Sequence, residues 1–272
     1  RIIICWDGQG GSQKRKSVNK GYKEGRKPIR LNRTIRNLSE NEETANKIWQ
    51  QTRLFEYLNE MPMIQLVSDG VEADDVISYV VNHRVHQGWQ KIIVSSDKDF
   101  IQLLDRETVL YRPIQKEVLN KNRVVEKFGI HPRNFALARA IVGDKSDNLS
   151  GVGRVGLATV AKRLPFLSEE RDCSIKEVVD YCEAVENKVG AHTNIVEGET
   201  IIRENYKLMQ LYAPSISIQQ KQHINDIFKN FKPLLNKTGV RKMMVQDGIG
   251  EISLVDLFQN FKRNISDHNA KK

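Results

Sequence analysis

A parallel α/β sheet followed by a helical region is the fold class this sequence predicts. Three observations carry that expectation. Short apolar runs alternate with helical periodicity through about residue 105, the pattern of βαβ units. Acidic clusters follow three of those runs directly, at Asp7, at Glu72-Ala73-Asp74-Asp75 and at Asp97-Lys98-Asp99. Beyond residue 120 the texture is helical.

The first run, Ile2-Ile3-Ile4-Cys5-Trp6, is apolar throughout, as a buried parallel strand should be. Residues 8–38 differ sharply, with ten Lys or Arg against one acid, Glu24, and few large apolar side chains. Such a segment is expected to pack no core and to stay mobile without a ligand. Residues 39–60 turn helical, with Ser39 as N-cap and Ile48, Trp49, Thr52 and Phe55 on one face. Met63–Val67 reads as a strand, Glu72 to His86 as a helix with Val76, Ile77, Val80 and Val81 inward, and Lys91–Ser95 as a third strand. A short helix follows over Asp97–Leu104, then an edge hairpin from Val109–Tyr111 and Glu117–Leu119. Helices are expected near 121–128, 132–142, 155–164, 174–189 and 195–210, with Tyr212–Ile218 extended. Residues 219–263 are mixed, and the polar tail from Asp267 is expected to fray. No internal repeat is visible. The chain opens at Arg1 inside a strand and without an initiator Met, so the native N-terminus is expected upstream.

At 272 residues the chain can bury a core without disulfides. Cys5, Cys173 and Cys182 lack metal-ligand spacing and read as buried apolar fillers in a reducing compartment. Nothing approaches a membrane span or a signal peptide. Lys and Arg total 43 against 34 acids, a net charge of +9. Because the acids concentrate in motifs, the remaining surface is more basic still, which favours nucleic acid over membrane.

In open α/β sheets, sites form at the carboxyl ends of strands, so Asp7, Glu72–Asp75 and Asp97–Asp99 are expected on one rim. Glu72 and Asp75 stand three apart and share a helix face, although acids are ordinary in a first helical turn. Asp97 and Asp99 can aim at one ion, cap a helix, or form a phosphatase-like Asp-x-Asp. Asp144 and Asp147 repeat the three-residue spacing and lead into Gly151-Val152-Gly153 and a helix from Val155. Glycines there let backbone amides approach an anion, the logic of a helix–hairpin–helix on a phosphodiester backbone; a tight turn between packed helices is the plainer reading. Lys162 and Arg163 lie just beyond. Eight carboxylates crowded in one pocket would need cations. Arg15, Tyr22, Lys23 and Arg26 offer counter-charge for phosphates and a ring for an unpaired base. His83 and His86 read as surface residues, and no Ser–His–Asp set can be picked out.

Gly-Val-Glu-Ala-Asp-Asp (70–75), Ser-Ser-Asp-Lys-Asp-Phe (95–100), Gly-Asp-Lys-Ser-Asp-Asn with its Gly-Val-Gly turn (143–153), and Arg15, Tyr22-Lys23 and Arg26 after Asp7-Gly8 together resemble the 5′-to-3′ exonuclease and flap endonuclease family. The likeness is to its phage and bacterial members, including the 5′-nuclease domain of DNA polymerase I, and spans about residues 2–166. The resemblance implies a mostly parallel twisted sheet flanked by helices, a PIN-like nuclease core, over residues 1–119, with residues 8–38 as a basic arch. It implies a helix–three-turn–helix DNA-binding subdomain over 120–210 and leaves 211–272 as a C-terminal extension. Asp7, Glu72, Asp74 and Asp75 would form one metal site, and Asp97, Asp99, Asp144 and Asp147 a second. Lys23 and Arg26 would contact the scissile phosphate, and Arg15 and Tyr22 would line the arch. Gly151, Gly153 and Gly156 would grip duplex DNA with a K+ ion, and Lys162 would add a phosphate contact.

The implied activity is cleavage of 5′-flapped, nicked or branched DNA, with RNA primers as a further substrate, by a cytoplasmic monomer of bacterium or phage-infected host acting in replication or repair. Two Mg2+ ions about 4 Å apart, or Mn2+ in their place, would serve an in-line displacement that leaves a 5′-phosphate and a 3′-hydroxyl. The resemblance also places another metal-binding Asp on a strand upstream of Asp7, so the N-terminal strand is expected to be missing here. That departure supports a rival, a DNA-binding module with an incomplete metal site. A phosphatase would leave the Gly-Val-Gly turn unexplained.

Overall fold

The computed structural model describes residues 1–25, 38–250 and 253–270. In chain order, the first elements are β1 (Ile2–Trp6), α1 (Gln13–Val18), α2 (Glu40–Asn59), β2 (Met63–Val67) and α3 (Ala73–Val81). Next come β3 (Lys91–Val94), β4 (Thr108–Arg112), β5 (Glu117–Leu119), α4 (Lys121–Phe128) and α5 (Pro132–Val142). A small hairpin, β6 (Gly143–Asp144) and β7 (Leu149–Ser150), precedes α6 (Leu157–Arg163), α7 (Ile175–Ala184), α8 (Gly190–Glu197) and α9 (Glu199–Met209). The chain closes with α10 (Ile218–Asn230), α11 (Lys237–Gln246) and α12 (Leu254–Ala270). By backbone proximity it forms two compact units, one from residues 1–6, 27–67 and 217–272, the other from 7–26 and 68–216.

In the first unit β1 and β2 pair in parallel, from Ile2 opposite Met63 to Trp6 opposite Val67. Ser39 opens α2 with a capping box: its hydroxyl accepts the Glu42 amide and the Glu42 carboxylate accepts the Ser39 amide. Part of the apolar face of this helix is open, with Ile48 and Trp49 59% and 57% exposed. The helix packs at its C-terminal turns instead, where Phe55 tilts against Trp6 and Leu58 is buried. Arg53 and Tyr57 both reach Asp247 at 2.7 Å and tie α2 to the end of α11. The region read as mixed is three helices, α10 to α12, and Tyr212–Ile218 contains no strand.

The second unit carries β3, β4 and β5 in that order, with β3 and β4 parallel and β5 antiparallel at the edge. The α/β class and the parallel pairing hold, and the strands are distributed over small sheets. Apolar runs mark strands but encode neither their burial nor which ladders join: β1, expected to be buried, is half-buried along its length, and Ile92 and Val94 of β3 are exposed. The core of this unit centres on α5, whose Phe135, Leu137, Ala138, Ala140 and Ile141 are all buried against α9 and the 3₁₀ turn Asp99–Leu103. The helix expected over 195–210 is two helices, broken at Gly198, where a Cβ would stand 2.7 Å from Val152. Gly143 has φ +76°, and a Cβ on Gly151 would meet the Val142 carbonyl oxygen at 1.9 Å. Backbone packing alone therefore demands glycine at 151.

Three further expectations need correction. The basic segment is in part well packed: residues 13–18 form α1, and Tyr22 is buried with Leu149, Leu208 and Met209. Composition missed this because one aromatic ring anchors the stretch. His83 and His86 are buried, since the chain turns back after α3 and their rings stack edge-on with Tyr79 and Trp89. Of the cysteines, Cys182 is buried while Cys5 and Cys173 are half-buried. The remainder of the basic segment, Arg26 to residue 37, lies outside the described residues.

His131 caps α5, its Nδ1 accepting the Arg133 amide at 3.3 Å, and Pro132 follows at the first helical position. Only a neutral imidazole can accept that bond. Burial pushes His131 below its ordinary value, with Glu170 opposing and Lys121 reinforcing the shift. The cap is therefore fully present above the unfolded value of about 6.5 and is lost as pH falls through the lowered folded value. His131→Asn keeps an acceptor and should flatten the fall in melting temperature between pH 7.5 and 5. His131→Ala should cost about 1 kcal/mol at neutral pH.

Candidate active site

Each acidic cluster is delivered by a short turn. Asp7 follows β1, and its Oδ1 accepts the Ala73 amide at 2.8 Å, so it caps the first turn of α3. Glu72 precedes that helix and is buried. Its carboxylate takes the Lys23 ammonium at 2.7 Å, the Tyr22 hydroxyl at 3.3 Å, and the Arg15 guanidinium. Arg15 also pairs with buried Asp75 at 3.0 Å, and its Nε donates to the Leu208 carbonyl. Asp75 in turn accepts the Ser215 amide at 2.9 Å.

The second cluster hangs on the loop after β3. The Asp97 amide donates to the Ser95 hydroxyl, the Asp99 amide donates to the Asp97 carboxylate at 2.9 Å, and buried Arg112 holds the Ser96 carbonyl. Arg139, from the last turn of α5, bridges Asp99 at 3.1 Å and Asp144. The sequence reading missed Arg139. Its signal was a lone cation inside the apolar run Phe135–Val142, where burial requires an anionic partner.

Asp147 reaches the first cluster through the backbone. The Lys23 amide donates to the Asp147 carbonyl at 2.9 Å, and the Asn148 side chain donates to the Gly21 carbonyl at 2.9 Å. Lys23 and Asn148 both adopt left-handed backbone, with φ of 57° and 59°. Two non-glycine residues held there cost about 1 kcal/mol or more each, strain of the kind stored at functional sites.

The two clusters share one electrostatic field. Burial, then the neighbouring charge of Asp97, pushes Asp74 up to about 7, and Lys23 only partly offsets this. Burial likewise pushes Asp99 up to about 6, with Arg139 opposing and Asp97 and Asp144 adding. Asp144 is held below the carboxylate range despite burial, because Ser146 and Arg139 hydrogen-bond it. Tyr22 is pushed up by burial, then by Glu72 and by Asp147. Glu72, Asp74, Asp97, Asp99 and Asp144 thus sense one another in a chain, with Asp97 the link between the groups.

The donor chemistry suits a hard divalent cation, because all the candidate ligands are carboxylate oxygens. Arg15, Lys23 and Arg139 face Glu72, Asp75, Asp99 and Asp144, three cations against four acids. Positions are a separate matter: among the described residues no three His, Cys, Asp or Glu side chains are grouped to hold one ion. Glu72 and Asp75 are drawn to Arg15, and Asp99 and Asp144 to Arg139, so a cation would have to compete with those guanidinium contacts. Gly153, Gly156 and Lys162 are exposed or half-buried along the turn and helix of α6. Arg26 lies outside the described residues.

Residues 1–129 match the profile of the 5′-3′ exonuclease, N-terminal resolvase-like domain family. A 5′-3′ exonuclease of Buchnera aphidicola from Schizaphis graminum is 30% identical over 190 residues, covering 69% of this chain and 58% of that protein. DNA polymerase I of Mycobacterium bovis is 37% identical over 141 residues, which is 50% of this chain and 15% of the polymerase. The chain therefore spans little more than half of the first relative and a small part of the second. In fold it is similar to a T5 5′-exonuclease solved with zinc bound, with a TM-score of 0.67, 18% identity and 85% of each chain covered. Among the described residues no helix is long and apolar enough to cross a membrane. Over residues 1–129 the chain matches the family of 5′-3′ exonuclease N-terminal, resolvase-like domains.

Proposed function

We propose that the chain hydrolyses DNA phosphodiester bonds as a divalent-cation-dependent 5′-3′ exonuclease and 5′-flap endonuclease. One observation carries the reading: Glu72 and Asp75 gather Arg15, Tyr22 and Lys23 in one cluster, and Asp99 and Asp144 converge on Arg139 in the other. Isolated helix-capping acids would not share buried cations in this way. Asp7, Glu72, Asp74 and Asp75 would hold one ion, and Asp97, Asp99, Asp144 and Asp147 the other. Bound Mg2+ or Mn2+ would supply activation of water and stabilisation of the leaving oxygen.

The chain's own residues do the rest. Lys23 presents its ammonium at the edge of the cluster, where it can place charge on a phosphate entering from solvent. Tyr22, packed beneath Lys23 with the ammonium 5.0 Å from the ring centre, fixes that approach. Arg139 keeps Asp99 and Asp144 convergent. Arg26 is assigned beside Lys23 on the family resemblance alone. Residues 120–210 would grip duplex DNA through the turn at Gly151, Gly153 and Gly156, with K+ and Lys162 assisting, and residues 211–272 would extend the nuclease portion of residues 1–119.

A 5′-labelled flap substrate under single-turnover conditions tests this reading. Cleavage should appear with Mg2+ or Mn2+, release 5′-phosphorylated products, and vanish with a chelator. DNA binding without cleavage at saturating Mn2+ would point instead to a binding module. Cleavage that persists after chelation would rule out the proposed chemistry.

A further inference from the structure

We infer that Gln102 is a positioning residue for the acidic site, clamping residues 208–215 onto the turn that carries Asp97 and Asp99. The inference rests on the nuclease reading for its consequence and on geometry for its existence. Gln102 lies in the 3₁₀ turn after Asp99 and is 4% exposed. Its carboxamide nitrogen donates to the Asp99 carbonyl at 2.8 Å and to the Met209 carbonyl at 3.0 Å. Its oxygen accepts the Leu211 amide at 2.7 Å. Both amide hydrogens and one oxygen lone pair are committed, so the side chain stitches two backbone segments together with little freedom left.

The stretch so fastened touches α3, at whose start Glu72 and Asp75 stand, and α1, which carries Arg15. The Leu208 carbonyl accepts from Arg15, the residue that pairs with Glu72 and Asp75. The Leu211 carbonyl accepts the Ser78 hydroxyl of α3 at 2.5 Å. The Ser215 amide donates to Asp75 at 2.9 Å, and Lys14 of α1 grips the Ser215 carbonyl and hydroxyl at 3.0 and 3.1 Å. Residues 208–215 are therefore a strap that spans from the Asp99 turn to α3 and α1, and Gln102 is its fastening at the Asp99 end. Most strap contacts use its backbone, which explains why the sequence of 208–215 advertises nothing. Outer partners of this kind orient ligands, and their loss typically weakens metal affinity by about 10–100-fold.

The test uses the full chain with Gln102→Leu, which keeps bulk and removes all three hydrogen bonds, and Gln102→Glu, which keeps the acceptor and removes both donors. Mn2+ binding without DNA is followed by electron paramagnetic resonance, flap-DNA affinity is measured in chelator, and amide exchange is read at Asp99, Leu211 and Ser215. Gln102→Leu should weaken Mn2+ binding about 10-fold or more, leave DNA affinity unchanged, and speed exchange at Ser215 as well as Leu211. Gln102→Glu should do the same to a smaller extent at Leu211, and decides the matter if the Leu variant does not fold. Mn2+ affinity within about twofold of wild type, or faster exchange confined to Leu211, overturns the inference. A lower melting temperature with unchanged Mn2+ binding does so too, since it marks a merely structural residue. If the wild type binds Mn2+ but cuts no flap, the nuclease reading fails while the clamp is still decided by the exchange data.

Discussion

Asp97→Asn is expected to reduce flap cleavage by about two to three orders of magnitude while leaving the fold intact. Asp97 is exposed, and its structural duty is to accept the Asp99 amide at 2.9 Å. The asparagine oxygen can accept the same bond, so stability should change by no more than about 0.5 kcal/mol. What the substitution removes is charge, at the position where it counts twice. Asp97 is the leading carboxylate neighbour of both Asp74 and Asp99, and a like charge disfavours the ionised form. The variant should therefore show the carboxyl titration assigned to Asp74, about 7 in the wild type, moving downward. That titration can be followed by NMR without metal or DNA, with apparent values that belong to the coupled cluster. An Asp97→Asn protein that cuts at near wild-type rates would remove Asp97 from the chemistry. Unchanged titration of Asp74 would mean that the two clusters do not share a field.

How much of this could be read from the residues alone depends on range. Met63–Val67 and Glu117–Leu119 are strands at the expected bounds, because apolar runs and their turn residues are local signals. The Ser39 cap was legible for the same reason, since its partner Glu42 lies three residues on. The acids were legible as clusters. Their counter-ions were less so, because Arg139 meets Asp99 forty residues earlier in the chain and periodicity says nothing about such encounters. Tyr22 was seen as a base-stacking ring, whereas its ring is buried and its hydroxyl faces Glu72. Gln102 is one polar residue among apolar neighbours in the sequence, and its role exists only once residues 208–211 return to it. Gly151 shows the opposite confusion: a glycine read as a door for phosphate has a sufficient reason in the Val142 carbonyl beside it.

Lys23→Ala should slow single-turnover cleavage by about 100-fold or more and change DNA affinity much less. The ammonium stands 2.7 Å from Glu72 and is only part-buried, so a phosphate arriving at the cluster can draw it away at small cost. An interaction made chiefly as charge develops lowers the barrier without tightening the ground state. Arg15 offers the contrast. It pairs with Glu72 and Asp75, whose side chains are 4% and 5% exposed, and it is fixed to the Leu208 carbonyl. Arg15→Ala would take the guanidinium from buried Asp75 and leave Glu72 its contact with Lys23, a loss on the order of 3–5 kcal/mol that should appear first in the melting temperature. The pair of variants separates two uses of positive charge at one site, the mobile ammonium for reaction and the buried guanidinium for assembly. If Lys23→Ala lost affinity alone, with its rate intact at saturating DNA, Lys23 would be a tether for the phosphate backbone, and the transition-state charge would have to come from elsewhere in the chain.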